Sequence, residues 1–592
     1  MQITTKVGGR FSAQWHDILM GSALFFLATV GVVRIVCTYH VFNQTTDEPA
    51  SLAPGMEWLE RGTYDIDPSH PPLARVFVAL GPYLSGLRLT GQGQDVWDQG
   101  TAILNADSQY LRNLSLARLG VLPFFLLATV LVWHWGRVRY GDGPALVATL
   151  LFTTSPVVLG HAGMATNDMA VSATFIGALV AYINLLERPS YFRAAVAGMM
   201  AGFATLCKFS ALVFLPACGL ALLVCRWLIG GGKKEEEEKP WITDRFGWSR
   251  GLFFFAVAAV LVVWAGYRFS VGRLTDAPRP HVTVDHFVGP TGALHNWAYS
   301  IVESPWIPAP RFVQGINSVR EHNAAGHRSF LLGQVREKGW WYFFPVALAV
   351  KNTGAVLVLM GIGIFYMGKS AWHKRNWIAA APGVAALVIV LVCMPSHINI
   401  GVRYVLPIVP LLALIGGVGA CGLWEDFRTD HAGPLIILSL LAWHVTSSFR
   451  GHPDYLAYFN EFAGQHPENI LIDSDLDWGQ DLFRLSAVLR QKGVEKVSVA
   501  YAGSADLTQF NLPPFRMLSP HQPTTGWIAI SLLSLKIGSH YIPTDSYYWL
   551  EAYKPICLVG RSMRLYYVPG QVLENKELID KVHAEASGGP PT

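Results

Sequence analysis

The sequence predicts a mainly α, polytopic membrane protein of about eleven transmembrane helices with a small α/β domain at its C-terminal end. Three observations predict it: scarce charge, recurring apolar runs, and a change of character after residue 450. Of 592 residues, 52% are hydrophobic and only 15% charged, against about 25% charged in soluble chains. Mean hydropathy is +0.32. Runs long enough to cross a hydrocarbon core, roughly 20 residues as a helix, recur from Ile18 to Phe449.

Spans are expected near 17–37, 115–135, 143–162, 165–186, 192–206, 209–230, 251–270, 342–367, 377–395, 403–424 and 433–449. Lys6 and Arg10 precede the first run and no small-residue cleavage site follows it, so it reads as a membrane helix. Arg137 with Arg139, Arg188 with Arg193, the stretch Arg226–Arg250 and Lys369–Arg375 then fall on one side with the N-terminus. The positive-inside rule makes that side cytoplasmic. The break between 192–206 and 209–230 at Cys207-Lys208 is slight, but merging the two spans would invert every later loop and destroy the charge pattern. The opposite side receives loops at about 38–114 and 271–341 and everything after 450. The chain divides into two units, a membrane module over 1–449 and an extracytoplasmic domain over 450–592. The block Lys233–Lys239 reads as a solvated linker.

In the second unit, strands are expected at Asn469–Asp473, Lys496–Tyr501, Gly526–Ser531, Pro555–Val559 and Arg564–Val568, with an amphipathic helix over Gln480–Lys492. The acidic run Asp473-Ser474-Asp475-Leu476-Asp477-Trp478 reads as a strand-to-helix turn with an Asp cap, or as a cation or sugar site.

Several function classes drop out. A net charge of +4 is too small to imply a nucleic-acid partner. The seven cysteines stand singly, without a CxxC pair, so neither a metal knuckle nor a disulfide framework is implied. No HExxH, Walker, GxSxG or Rossmann pattern stands in proper context, which argues against nucleotide-driven transport and serine hydrolysis.

What remains is charge near the membrane. Asp47 and Glu48 lie a few residues beyond the first span, and carboxylates crowded beside low-dielectric material make stronger bases. Arg34, Arg118, Lys208, Lys351 and Arg403 lie in or at the ends of spans, all in the outer half on this topology. Charge there costs about 2.5–3.5 kcal/mol at mid-span, so it has a partner or a task, although a residue at a span end can snorkel. Cations converging below one face suit a lipid phosphate or pyrophosphate. His161 and Asp168 fall in an outer turn, where Asp168 orients an acceptor, pairs with a cation or caps the next helix. His70 lies in Asp65–Leu73, whose prolines predict a rigid turn into an amphipathic helix on the membrane.

Taken in order, Asp47-Glu48, His70-Pro71-Pro72-Leu73, Ser155-Pro156…Asp168, Gly202…Lys208-Phe209-Ser210, Trp341-Tyr342-Phe343…Lys351 and Arg403-Tyr404-Val405-Leu406-Pro407 resemble the GT-C membrane glycosyltransferases. They are most similar to the glycosyltransferase family 39 branch of protein O-mannosyltransferases and aminoarabinose transferases. The resemblance covers about 1–425. The tail around Asp475-Leu476-Asp477-Trp478-Gly479-Gln480-Asp481 looks like those of bacterial members and lacks the β-trefoil insertion of eukaryotic protein mannosyltransferases, which puts a protein acceptor in doubt.

The resemblance implies an inverting hexosyl or pentosyl transfer from a polyprenyl-phosphate sugar to a hydroxyl of a protein, lipid or glycan, at the outer face of a bacterial inner membrane. It implies Asp47 as base with Glu48 shaping its pKa or binding the acceptor, Lys351, Arg403, Lys208 and Arg118 at the donor phosphate, and Asp168, His70 and His161 as acceptor or support residues. No metal or other cofactor is expected. A lipid or sugar transporter, or a non-catalytic subunit of a complex, are the competing readings. A transporter often shows internal repeats, and none is apparent here.

Overall fold

The computed structural model describes residues 4–570 except 231–244, 274–284, 286–287, 304–305, 428, 430–431 and 539–542; the 233–239 charge block lies outside the described residues. The protein is an integral membrane protein, mainly helical. Among the described residues seven helices are long and apolar enough to cross a membrane: Trp15–Val36, Tyr110–Tyr140, Asp168–Glu187, Ala211–Gly230, Ser249–Gly266, Gly354–His373 and Val402–Phe427. An eighth crossing arises if Asp142–Thr153 and Pro156–Ala162, bent by 58°, count as one. The bend has a local cause, since Ser155 precedes Pro156 and is held extended, at ψ 123°. Tyr191–Cys207 and Trp377–Cys393 are apolar but shorter, and Ala432–Arg450 is a further helix of 19 residues. Each expected span therefore has a helix, while length and hydropathy certify only seven or eight.

Two helix breaks fall beside intramembrane lysines. Tyr191–Cys207 ends because Lys208 is extended, at φ −160° and ψ 138°. The span expected at 342–367 is two helices, Phe343–Lys351 and Gly354–His373, parted at Asn352, with Thr353 Oγ1 accepting from Val356 N–H to start the second. Backbones elsewhere approach closely through small residues, the usual device where lipid gives no hydrophobic drive. A Cβ on Gly419 would stand 2.3 Å from the Leu359 carbonyl oxygen. Any larger residue there separates Gly354–His373 from Val409–Phe427.

In the loop after the first span, Glu48–Glu60, Pro72–Leu84 and Val96–Leu104 pack as short helices. Pro72 at the first helical position supplies the helix start expected after the 65–71 turn. Gly100 lets its helix meet Pro49, where a Cβ would lie 2.1 Å from the carbonyl oxygen.

Two antiparallel strand pairs, β1 (Val271–Arg273) with β2 (Trp306–Pro308) and β3 (Ser329–Leu331) with β4 (Gln334–Arg336), lie in the segment between Arg245–Gly266 and Phe343–Lys351. The C-terminal sheet comprises β5 (Val497–Ala500), β6 (Phe515–Met517), β7 (Gly526–Ser531), β8 (Cys557–Val559) and β9 (Met563–Val568), in the order β6-β5-β7-β9-β8. The pairs β5–β6 and β5–β7 are parallel; β9 runs antiparallel to β7 and β8. The helix expected over 480–492 is Leu482–Gln491. Sequence reading missed β6, three residues long, and misplaced one strand. Asn469–Asp473 is not a strand but a link between two 3-10 turns, Pro467–Asn469 and Asp473–Asp475. Its apolar run Ile470-Leu471-Ile472 is real, yet Leu471 joins the membrane core and Ile472 the sheet core, so it bridges two cores rather than joining a sheet.

Candidate active site

The loop Asn43–Glu48 is fixed on both sides. Asn43 Nδ2 donates to the Gly479 carbonyl at 2.7 Å while its Oδ1 accepts from Leu482 N–H at 2.8 Å. Thr46 N–H donates to the Trp478 carbonyl at 3.0 Å. Asp47 then occupies the N-cap position of Glu48–Glu60, yet its side chain makes no capping bond. Its carboxylate turns to Arg403, whose Nη1 donates to Oδ2 at 2.6 Å.

Arg403 lies in a tight 3-10 segment, Val402–Ile408, held by the run 473–478: Asp475 Oδ1 accepts from Val402 N–H at 3.1 Å. The guanidinium sits 4.4 Å above the Trp478 ring centroid, a planar cation on an aromatic face. Nη1 also stands 4.0 Å from Asp168 Oδ2, and Nε is buried without an acceptor. Asp168, fully buried at the start of its helix, does not cap through its side chain; its Oδ1 accepts from Lys208 Nζ at 2.6 Å. The ammonium lies 4.6 Å from the Tyr404 ring centroid. The extended backbone at Lys208 is what ends one helix and turns this side chain inward. Two cations and two carboxylates from four distant segments thus form one cluster, with Asp47 its exposed member.

Two further titratable groups border the cluster. Asp473 is pushed up to about 7 by burial, against the pull of Arg403. His327 Nε2 stands 3.9 Å from Asp473 Oδ2, and burial, with His322 and Arg403 nearby, lowers its ring to about 4. Asp473 was legible only as part of an acidic run that read as a turn or as a cation or sugar site, and nothing in the loop around His327 marks that residue. His70 is lowered to about 3 by burial and by Arg75 and Lys208, so it is a neutral ring, with Nδ1 unpartnered. His161 packs its ring edge against Trp478, centroids 6.4 Å apart, Nδ1 likewise unpartnered. Among the described residues no three His, Cys, Asp or Glu side chains are placed to hold a metal ion.

Three expected roles need correction. Glu48, 1% exposed, faces Arg118 rather than an acceptor, and each of its oxygens receives an Arg118 N–H, at 2.8 and 2.9 Å. Arg118 is therefore not free for a donor phosphate; its remaining N–H groups reach the carbonyls of Phe42 and Asn43 at 3.0 and 2.9 Å. Lys351, expected at the donor phosphate, is bonded within the chain. Its ammonium donates to the carbonyls of Leu456 and Asp475 at 2.7 and 2.6 Å, pinning the post-450 segment to the membrane helices. Lys351→Met should then lower stability, by about 1–3 kcal/mol for each buried carbonyl left without a donor. Thermal unfolding in detergent checks this: an unchanged midpoint with lost donor affinity would return Lys351 to the phosphate.

Beside the cluster lies an apolar groove of about 650 Å³ between Asp168–Glu187, Tyr191–Cys207, Ala211–Gly230 and Arg245–Gly266, closed at one end by Pro308, Ala309 and Phe312. The Phe312 ring packs 5.6 Å from that of Phe209, the residue after Lys208.

No curated protein matches the sequence. Among solved structures, ArnT from Cupriavidus metallidurans bound to undecaprenyl phosphate is similar at 14% identity and a TM-score of 0.46, over 91% of this chain and 97% of that one. The archaeal oligosaccharyltransferase AglB from Archaeoglobus fulgidus, in complex with an inhibitory peptide and a dolichol-phosphate, is similar at 10% identity and a TM-score of 0.48, over 94% of this chain and 75% of that one. Residues 112–264, which hold Arg118, Asp168 and Lys208, match the family described as Dolichyl-phosphate-mannose-protein mannosyltransferase, and there the resemblance to GT-C glycosyltransferases is borne out.

Proposed function

We propose that the protein transfers a sugar from a polyprenyl-phosphate donor to an acceptor hydroxyl at the Asp47–Arg403 cluster, on the outer face of the membrane. The observation that carries the reading is the cluster itself, two cations and two carboxylates brought together from four distant segments, with an apolar groove nearby in the fold whose Phe312 packs against Phe209, the residue after Lys208. A polyprenyl chain lies in the groove, and its phosphate reaches Lys208 and Arg403. The buried Nε of Arg403, without an acceptor among the described residues, donates to a phosphate oxygen. Asp47 takes the proton of the acceptor hydroxyl as its oxygen bonds to the anomeric carbon. The bond from that carbon to the phosphate oxygen breaks on the opposite face, its electron pair leaves with the phosphate, and configuration inverts. Lys208 and Arg403 stabilise the charge that develops there, usually the largest single catalytic contribution. The membrane module over 1–449 performs the transfer, and the extracytoplasmic domain over 450–592 braces it through the 473–478 run.

Proteoliposomes containing a radiolabelled polyprenyl-phosphate sugar and an envelope extract test the reading. Label should pass from lipid to the extract; movement of intact lipid between leaflets without transfer would make the protein a transporter, and neither result a subunit. In cells, with exposed Cys37 changed to Ser, a thiol at Lys492→Cys should react with an impermeant reagent and one at Lys374→Cys should not. The reverse pattern would place the cluster on the wrong face.

A further inference from the structure

A second cavity stands apart from the groove. It measures about 1060 Å³ and lies between Val96–Leu104 of the loop after the first span and the C-terminal sheet. Its position in the sheet is informative. From β5 the chain moves to β6 on one side, then crosses to β7 on the other, so β5 and β7 flank the point where strand order reverses. Ligands of open parallel sheets bind in the crevice beyond the carboxyl ends of such strands. The cavity is lined there by Tyr501–Asp506, just after β5, and by Leu533, just after β7. Its walls are tied together, with Thr101 Oγ1 donating to the Ser504 carbonyl at 3.1 Å and Gln44 Nε2 to Ser504 Oγ at 3.2 Å. Thr46, immediately before Asp47, also lines it.

Its chemistry narrows the occupant. Asp95, Asp98 and Asp506 line the crevice, and among the described residues no Lys, Arg or His does. A cleft of one sign repels ligands of the same sign, so phosphorylated or carboxylated acceptors are disfavoured. Trp97, 41% exposed, offers an aromatic face, and carboxylates and amides such as Gln92 and Asn105 supply acceptors and donors for a dense set of hydroxyls. Neither edge strand of the sheet, β6 or β8, lines the crevice, so an extended peptide finds no edge to join.

We infer that this crevice is the acceptor subsite and takes a carbohydrate free of phosphate and carboxylate groups, presenting one hydroxyl past Thr46 to Asp47. The inference rests on the transferase reading above. Asp95 caps its helix by accepting from Asp98 N–H at 2.9 Å, and Asp98 Oδ2 takes Gln94 N–H at 3.3 Å, which sets both carboxylates before a ligand arrives.

The test is calorimetric titration of the full chain in detergent with neutral tetrasaccharides of glucose, mannose and N-acetylglucosamine, their phosphorylated counterparts, and a neutral serine-rich peptide. At least one neutral saccharide should bind, its phosphorylated form at least 10-fold more weakly. Trp97→Ala should weaken the neutral ligand at least 10-fold and Trp97→Phe should restore most of the affinity; Asp506→Asn, which leaves the tryptophan in place, should also weaken it. Binding by none of the saccharides, preference for a phosphorylated form or for the peptide, or equal binding by Trp97→Ala and Asp506→Asn would overturn the assignment. Hydrolysis of a polyprenyl-phosphate sugar by the unsubstituted protein is measured alongside. If hydrolysis occurs and saccharides fail to bind, the crevice is wrong and the transferase reading stands; saccharide binding without any hydrolysis or transfer overturns the acceptor role together with that reading.

Discussion

Asp47→Asn is expected to lower sugar transfer by about 10²–10⁴-fold, the usual contribution of a positioned general base. The substitution keeps the size of the side chain and an oxygen for Arg403 Nη1, so the 2.6 Å contact has a neutral replacement. With the Asp47 side chain 33% exposed, little buried interaction is lost and the unfolding midpoint should barely move. The rate loss should appear in kcat, because the proton moves only as the hydroxyl oxygen bonds to carbon. Asp473 is the rival base, a buried carboxyl at about 7 near the same guanidinium. The two are separated by parallel rates: Asp473→Asn should retain most activity if Asp47 is the base, and the opposite ranking would transfer the role.

The spans could be read from sequence because an apolar stretch of membrane length survives any packing around it. The slight break at Cys207-Lys208 was legible through the charges on later loops. The break at Asn352 was not, although Asn352-Thr353-Gly354 carries a capping residue and a glycine, because the apolar run resumes at once on both sides and reads as one span. The site was legible to the same depth. Charge inside an apolar run marks Arg118, Lys208, Lys351 and Arg403 equally, since the cost of placing each there is alike. What distinguishes them is the partner, and each partner lies far off in the chain. Arg118 meets Glu48, Lys351 meets the backbone carbonyl of Asp475, and only Lys208 and Arg403 meet carboxylates beside a groove. The acidic run 473–478 looked like a local turn because its bonds are made to the 400–403 segment and, through Asp477, to Leu533 N–H.

That distinction makes Glu48 the residue whose loss should damage folding most. Its Oε1 accepts from Arg118 Nε and from Ala165 N–H, both at 2.8 Å, and its Oε2 from Arg118 Nη2 and Thr45 N–H at 2.9 and 2.7 Å. Glu48→Gln places an NH₂ where two N–H donors already point and leaves the Arg118 charge buried without its counterion. Breaking such a pair from one side costs about 3–5 kcal/mol, so the purified protein should show a steep fall in its unfolding midpoint or fail to accumulate. Arg118→Met should do similar harm, since it strands the carboxylate instead. The double variant Glu48→Gln with Arg118→Met should lose less than the two single losses together, because removing the second partner ends the uncompensated burial. Transfer should fall with stability in the single variants, for Glu48 and Arg118 set the loop from which Asp47 projects. A Glu48→Gln protein that keeps its midpoint and still loses transfer would mean that Glu48 touches the acceptor after all, and that the Arg118 pair opens during the reaction.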